Sequence, residues 1–334
     1  MSRGKGHKEV CMTAAAIFSL MACFILNPGS ANAQAPIVLN AVGIAPMNDP
    51  TIQPTAGWMK DVTAATNGRV AVKWKGGPEV IAAADQFDAV VNGAVEVAFN
   101  VAGYYDNRAP ELRAFNLSQH LPWEERQNGF YDFMVQRHEK LGVRYVGRWL
   151  NNNPFYIFLK KPVQKLGDLK GLKLRGAGTL YVPFMRALET TPVNIPIPEI
   201  YTSLERGVVD GFAHPALGFR GHGWHKIAKY IIDHPVWSPN ATILINQKVW
   251  NGIPKDLQDI IVRTTAAWER KDHAGLGALR EKEWKEIQSE GVTLLKLPPA
   301  DAKHYQQLSV DVQWNYLETR VPDMVPQLKK LTAK

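Results

Sequence analysis

Residues 168–215 are DLKGLKLRGAGTLYVPFMRALETTPVNIPIPEIYTSLERGVVDGFAHP, and this stretch decides the fold. Its apolar runs alternate with amphipathic segments in the order strand, helix, strand, helix, strand, which is typical of an α/β unit. Arg175 stands at the carboxyl end of the first of these strands. Because open α/β sheets bind their ligands at that edge, we expect Arg175 to hold an anionic solute there.

The amino-terminal half of the chain shows the same alternation. Strands are predicted at residues 37–46, 69–75 and 94–101, with a helix in each interval. This β-α-β-α-β order predicts a parallel sheet with helices on both faces. A chain of 334 residues is long enough for two such lobes, each with its own core.

Two stretches are expected to connect the lobes. The breaker cluster at residues 151–154 (NNNP) predicts a first crossing, and the extended segment 231–245 predicts the return. The predicted division is a first lobe of residues 34–152 and 241–280, and a second lobe of residues 153–240 and 281–334.

Residues 254–290 are helical in composition almost throughout. An unbroken helix here would be about 55 Å long and would brace both lobes. A hinge at Gly275 and Gly277, which would give two helices, is the alternative.

The first 33 residues have the three parts of a secretory signal peptide. A basic start with Arg3, Lys5 and Lys8 precedes an apolar run over residues 11–26, and a small-residue A-N-A site ends at Ala33. The apolar run is shorter than the roughly 20 residues that a membrane-spanning helix needs. We therefore expect cleavage after Ala33 and a periplasmic mature protein. Lipidation of Cys23 is the alternative.

Cysteine usage and charge exclude several classes of protein. The two cysteines, Cys11 and Cys23, lie in the predicted signal peptide, so the mature chain has no thiol for a disulfide, a thiolate metal site or catalysis. The formal net charge is +8, but the basic residues are scattered rather than clustered. We therefore expect no nucleic-acid partner.

The sequence has no motif typical of an enzyme. It has no G-x-S-x-G elbow, and His138-Glu139 is not completed to H-E-x-x-H. His222 and His225 have a spacing that could bind a metal, but no carboxylate or thiolate near them in sequence completes a site. We expect no enzyme activity, no cofactor and no metal.

Polar and aromatic side chains follow the predicted strands at the edge where Arg175 lies. Asn48 follows the first strand, Tyr104 and Tyr105 follow the third, and His214 ends the strand of the second lobe. We expect them to face one cleft. Core packing of the tyrosines and a structural role for His214 are the alternatives.

The segments DLKGLKLR (168–175) and PVNIPIPEIYTSLERGVVDG (192–211) resemble the signature of the solute-binding subunits of TRAP (tripartite ATP-independent periplasmic) transporters, the DctP-like family. The resemblance extends to NGAVEVAF (92–99) and INQKVWNGIPKDLQ (245–258), and so covers nearly the whole mature chain. It implies a two-lobed periplasmic binding protein, type II-like, with a long helix spanning both lobes. It also implies a bidentate salt bridge from Arg175 to the solute carboxylate.

The sequence departs from this family at positions that bear on the ligand. His214 replaces a ligand-binding asparagine, Phe155 replaces a second arginine of sialate-binding members, and Ile197 replaces their stacking phenylalanine. These changes argue against sialic acid. Phe155, Trp149 and Trp237 favour a monocarboxylate with an apolar or aromatic body, or a keto acid. The expected ligand contacts are Arg175, His214, Phe155, Trp237, Asn153, Trp149, Tyr104, Tyr105 and Asn48.

The expected function is capture of a small organic acid for delivery to sodium-coupled TRAP membrane subunits, one small and one large, as the resemblance implies. The alternatives are the binding protein of an ATP-driven importer and a secreted enzyme acting on a carboxylate. We expect a monomer.

Overall fold

The computed structural model describes residues 35–176, 180–237 and 241–334. The predicted signal peptide, its cleavage after Ala33 and the alternative lipidation at Cys23 lie outside these residues. Within the described ranges, no helix combines the length and the apolar character needed to cross a bilayer.

The described strands form one sheet of five strands and one of six. The first sheet comprises β1 (Ile37–Gly43), β2 (Val70–Gly76), β3 (Val97–Val101), β4 (Val143–Arg148) and β10 (Ala241–Asn246). The second comprises β5 (Phe155–Leu159), β6 (Lys173–Gly176), β7 (Thr191–Asn194), β8 (Gly211–Pro215), β9 (Tyr230–Ile232) and β11 (Thr293–Leu295).

Helices cover both sheets. They are α1 (Thr55–Ala65), α2 (Gln86–Val91), α3 (Pro122–Asn128), α4 (Phe130–Glu139), α5 (Tyr181–Ala187), α6 (Ile200–Glu205), α7 (Gln247–Gly252), α8 (Lys255–Ser289), α9 (Pro299–Arg320) and α10 (Val325–Thr332).

The first sheet has the strand order β2-β1-β3-β10-β4. β1 pairs in parallel with β2 and β3, as the β-α-β-α-β pattern predicts, and β10 is antiparallel to both of its neighbours. Every residue of β10 is buried, which agrees with its continuous apolar run ATILI. The strand that returns from the second lobe thus lies inside the first sheet.

The second sheet has the strand order β11-β9-β5-β8-β6-β7. β6 pairs in parallel with β7 and β8, whereas β5 is antiparallel to β8. Arg175 lies next to the last residue of β6, and His214 lies next to the last residue of β8. Because these two strands are parallel neighbours, both side chains lie at the same edge of the sheet.

α8 is a single helix of 35 residues, so the unbroken helix is confirmed over the alternative of a hinge at Gly275 and Gly277. At 1.5 Å per residue the helix is about 52 Å long. Its first half packs on the first lobe, where Trp58 Nε1 donates a hydrogen bond to Thr265 Oγ1 at 2.9 Å. Its last turns pack on the second lobe, where Ile287 is fully buried in the core beside β9. The expected long helix across both lobes is confirmed.

The middle of α8 holds the first crossing between the lobes. Asp272 Oδ2 accepts a hydrogen bond from the Leu150 amide at 3.0 Å, and Asn152 Nδ2 donates to the His273 carbonyl at 2.9 Å. A Cβ on Gly277 would lie 2.8 Å from Asn152 Nδ2, so an alanine there would displace the Asn152 side chain. The crossing is therefore fixed to α8 on one side.

Two details differ from the sequence expectations. The composition of residues 123–141 predicts one helix, but the structure has two, α3 and α4, because Gly129 with a φ of 90° ends the first. The predicted division placed residues 281–334 in the second lobe, but α10 packs on the first-lobe core, where Val325 and Leu328 join Phe130. An amphipathic tail carries no sequence signal for which of two cores will bury it.

Candidate functional site

A cavity lies between the two sheets, where strands from both lobes end. It has a volume of about 70 Å³. A single water needs only about 10–15 Å³ on the same measure, so the space admits a small molecule. Its lining residues are Ile44, Thr51, Val101, Gly103, Tyr104, Leu150, Phe155, Arg175, Leu180, Tyr181, Ile197, His214 and Pro215.

Arg175 is the cation of this cavity. Its side chain is 1% exposed, and two carbonyl groups fix the guanidinium: Nε donates to Ile195 O at 2.7 Å and Nη1 donates to Ala213 O at 3.2 Å. Nη2 is buried and has no hydrogen-bond partner among the described residues. Burial lowers the pKa of Arg175 from its ordinary value, although arginine stays charged in proteins. A buried cation of this kind is set to receive an anion.

His214 shares the cavity with Arg175. The ring is 3% exposed, and Nδ1 lies 2.9 Å from the Pro215 carbonyl oxygen. Burial, followed by the neighbouring Arg175 charge, lowers the pKa of His214 to about 3. The ring is therefore neutral at physiological pH.

The rest of the wall is mostly apolar, with two phenols. Phe155 and Tyr181 meet edge to face with ring centroids 5.3 Å apart. Tyr104 is half-buried, and burial raises its pKa while the Arg175 charge opposes that rise. Both tyrosines are therefore neutral and able to donate or accept a hydrogen bond. Such a wall suits the apolar body of a small solute.

Two larger spaces of about 450 Å³ and 340 Å³ adjoin the cavity. Ile44 of the first lobe and Ile197 of the second line all three spaces. Asn48, an exposed residue, lines the smaller of the two outer spaces and not the inner cavity. Asn48 therefore lies at the outer opening of the cleft, formed by these two spaces, which we call the mouth.

A close contact between a histidine and a carboxylate joins the lobes at this mouth. His222 Nε2 lies 3.1 Å from Asp49 Oδ2, and Thr51 Oγ1 donates to Asp49 Oδ1 at 2.5 Å. Burial acts to raise the pKa of Asp49, but the bonds from His222 and Thr51 outweigh it, and the pKa lies below its ordinary value. Sequence inspection gave His222 no role because its partner is far away along the chain.

Trp149 and Trp237, predicted to contact a ligand, lie in the two cores instead. Trp149 Nε1 donates to the Thr242 carbonyl at 3.2 Å, and Trp237 Nε1 donates to the Ser309 carbonyl at 2.9 Å. Each indole also packs in an apolar cluster of its own lobe. Both N–H groups are already satisfied inside the protein and neither residue lines the cavity, so their ligand contact stays a prediction that the cavity lining does not support.

Tyr105 and Asn153 are likewise committed to contacts within the protein. The Tyr105 hydroxyl lies 2.8 Å from Thr242 Oγ1 and 3.0 Å from His138 Nε2, and its ring is 1% exposed. Asn153 Oδ1 accepts from the Leu217 amide at 2.8 Å, which joins the first crossing to the segment after β8. Tyr105 thus lies in the core and Asn153 at the crossing, and neither lines the cavity, although Nδ2 of Asn153 has no hydrogen-bond partner among the described residues.

The sequence analysis missed several lining residues. Tyr181, Leu180 and Thr51 were not proposed as contacts, although each lies in the cavity wall. Tyr181 begins α5, five residues after β6 ends, a position where a helix side chain faces the strand ends. That topological rule was the available signal, and composition gave none.

The side chains that line the inner cavity are suited to binding. No group of three or more potential metal ligands occurs among the described residues. The inner cavity combines one fixed cation, one neutral histidine, hydroxyl groups and an apolar wall. Such a set holds an organic anion by charge-assisted hydrogen bonds and apolar contact.

Two curated proteins are similar to this chain in sequence. A monocarboxylate 2-oxoacid-binding periplasmic protein of Nostoc is 28% identical over 280 residues, which are 78% of this chain and 74% of the relative. An uncharacterized protein of Haemophilus influenzae is 32% identical over 139 residues, but the match spans only 41% of this chain and 42% of the relative.

Solved structures show the same fold. The Bordetella pertussis extracytoplasmic solute receptor DctP7, which binds pyroglutamic acid, has a TM-score of 0.78 at 19% identity, covering 89% of this chain and 99% of that one. A TRAP periplasmic solute-binding protein of Desulfovibrio salexigens with bound orotic acid has a TM-score of 0.78 at 21% identity, covering 88% and 97%. The two-lobed periplasmic binding protein fold is thereby confirmed.

The sequence also matches the model of a protein family directly. The match covers residues 41–318 and so includes the cavity and all of both sheets except the first four residues of β1. Members of this family are periplasmic solute-binding proteins rather than enzymes, in agreement with the sequence analysis. This chain therefore belongs to family 7 of the bacterial extracellular solute-binding proteins, the DctP family.

Proposed function

We propose that this protein captures a small organic acid with one carboxylate and an apolar body. The observation that carries the proposal is the Arg175 guanidinium, which is fixed by two carbonyls and keeps a buried Nη2 without a partner among the described residues. Arg175 is the one lysine or arginine among the described lining residues of the cavity. A second carboxylate would therefore be buried without a cation, which favours a monocarboxylate.

The ligands of relatives are consistent with this class. The Nostoc relative is named for monocarboxylate 2-oxoacids, and the structural neighbours hold pyroglutamic acid and orotic acid. Each of these compounds carries one carboxylate on a small body. A shared fold alone does not fix the ligand, so the buried guanidinium is the stronger argument.

The expected affinity needs more than the ion pair. A guanidinium and a carboxylate about 4 Å apart attract by roughly 4 kcal/mol at an effective dielectric of about 20, and desolvation offsets part of this. Micromolar binding requires about 8 kcal/mol. Apolar contact with the wall and closer contact of the lobes around the solute would supply the remainder.

A thermal-shift screen of organic acids, followed by calorimetry, tests the proposal. Each acid is compared with its primary amide, which keeps the body and removes the charge. We expect at least one small monocarboxylate to raise the melting temperature, and its amide to leave it unchanged. An amide that binds as tightly as its acid would contradict capture through Arg175.

We further propose that the protein delivers the captured acid to a small and a large TRAP membrane subunit, and that a sodium gradient drives the uptake. Other members of the family are associated with such subunits. Uptake of a labelled ligand by vesicles that contain TRAP subunits from the same genome should require both this protein and a sodium gradient. Uptake driven by ATP alone would contradict it.

Cleavage of the signal peptide after Ala33 is also part of the proposal. The amino-terminal sequence of protein isolated from the periplasm tests it.

A further inference from the structure

We propose that the captured acid carries an N–H or O–H donor beside its carboxylate, and that Nε2 of His214 accepts the hydrogen bond from it. The inference rests on the proposed function, since it concerns a ligand already held by Arg175. It narrows the ligand class to 2-hydroxy acids and to acids with a ring N–H next to the carboxylate. It disfavours the matching 2-oxo acids, which offer only acceptors at that position.

The position of the proton on His214 follows from its partner. Nδ1 lies 2.9 Å from the Pro215 carbonyl oxygen. A carbonyl oxygen can only accept a hydrogen bond, so Nδ1 must carry the proton. In a neutral imidazole the other nitrogen, Nε2, is then an acceptor with a free lone pair.

The surroundings of the ring keep it neutral. His214 is 3% exposed and faces the charge of Arg175, and neither feature favours a second proton. The other titratable groups that act on it are His222, which disfavours its protonation, and Asp49, which favours it. Asp49 is already paired with His222 at 3.1 Å, so its effect on His214 is partly cancelled.

Nε2 of His214 has no hydrogen-bond partner among the described residues, whereas Nδ1 has one. The ring lines the same cavity as Arg175, and the guanidinium bonds to the carbonyl of Ala213, the residue before His214. Three donor hydrogens of the guanidinium remain for the carboxylate, on Nη1 and Nη2. The same cavity therefore offers donors from Arg175 and an acceptor from His214.

The hydroxyl groups of the wall do not provide the same discrimination. Tyr104 and Tyr181 can rotate their protons and so serve a ligand donor or a ligand acceptor. Thr51 already donates to Asp49 at 2.5 Å. A 2-oxo oxygen could use the phenols, but it would leave Nε2 of His214 facing another lone pair. Burying that acceptor unpaired is unfavourable, whereas a hydroxyl satisfies it.

Calorimetry with three acids that share one body tests the inference: 2-hydroxyisocaproate, 2-oxoisocaproate and isocaproate, with pyroglutamate as a ring N–H acid. We expect the hydroxy acid to bind about tenfold or more tightly than the oxo acid. In His214→Gln, whose amide can turn to donate, we expect this ratio to fall toward one. His225→Gln is the control, because His225 pairs with Glu290 and does not line the cavity.

Nitrogen-15 chemical shifts of the histidine rings in the ligand-free wild type give a second measurement that does not depend on a variant. They should show His214 neutral with its proton on Nδ1. A proton on Nε2, or an oxo acid that binds as tightly as the hydroxy acid, would overturn the inference and leave capture by Arg175 standing. If no acid binds better than its amide, the proposed function fails as well.

Discussion

Replacement of Arg175 by methionine separates binding from folding in this protein. Methionine keeps much of the volume of the side chain and removes the charge and its donors. The guanidinium is a buried cation with two carbonyl partners and no carboxylate partner among the described residues. The loss of two hydrogen bonds, each worth about 1 kcal/mol, is offset by relief of the desolvation of that charge. We expect little change in the melting temperature without ligand.

Binding should respond very differently. A ligand carboxylate buried in Arg175→Met would lack its cation, which costs about 3–5 kcal/mol, or roughly a hundredfold to several thousandfold in affinity. Arg175→Lys keeps the charge but not the planar fork, and losing one charge-assisted hydrogen bond costs about 1.5–3 kcal/mol, or roughly tenfold to a hundredfold. Calorimetry with the best acid of the screen, beside thermal unfolding of each variant without ligand, measures both effects.

Arg126→Met is the matched control. Arg126 is also largely buried, but it forms two hydrogen bonds with the Glu269 carboxylate, at 2.8 and 3.1 Å. Its removal leaves the buried carboxylate without that cation, so we expect a loss of about 3–5 kcal/mol of stability.

Full affinity in Arg175→Lys would refute the bidentate role of Arg175. A destabilised Arg175→Met that still binds the acid normally would show that the arginine serves the fold.

Two further predictions concern the crossing and α8. Burial raises the pKa of Asp272 to about 7, so the folded protein keeps a proton that the unfolded chain loses above about pH 4. The free energy of unfolding should therefore fall as the pH rises from about 4 to 7, by on the order of 4 kcal/mol at most. Denaturant titrations at several pH values measure this decrease. It should be smaller in Asp272→Asn but unchanged in Asp259→Asn, a control at an exposed carboxylate. Gly275→Ala should raise the free energy of unfolding by about 0.5–1 kcal/mol, because no described atom lies within 4 Å of the added Cβ. Gly277→Ala should raise it by less, because its Cβ would lie 2.8 Å from Asn152 Nδ2 and would displace that side chain. Equal gains in the two alanine variants would contradict a close contact between α8 and the crossing.

Sequence patterns located the part of the site that depends on topology. Arg175 was predicted at a strand end because strands and helices alternate around it, and β6 does end at Gly176. His214 was placed at the same edge by the same rule, since β8 ends at Pro215. Parallel strands bring distant residues to one edge, so the position along a strand was sufficient information.

The side chains that depend on packing could not be assigned in this way. Trp149 follows β4 and Phe155 begins β5, and both are large aromatics near the crossing, but only Phe155 lines the cavity. Which face of a chain segment meets the cleft depends on the twist of the sheet and on residues far away in sequence. Leu150, which lies between the two, has a φ of 60°. Leucine rarely adopts this left-handed conformation, so the sequence could not predict it.

The unbroken course of α8 limits how the two halves can move. Its first half belongs to one core and its last turns belong to the other, so stretching the protein along this axis would have to break packing at one end. Rotation about the axis is far less costly, because it leaves the length of the rod unchanged. We therefore expect the mouth to open by a twist of the two lobes about the axis of α8. The distance between Ile44 and Ile197 would grow, while the distance between the two ends of α8 would stay the same. Distance measurements by spin labels at the mouth and at both rod ends would distinguish this twist from a spreading motion.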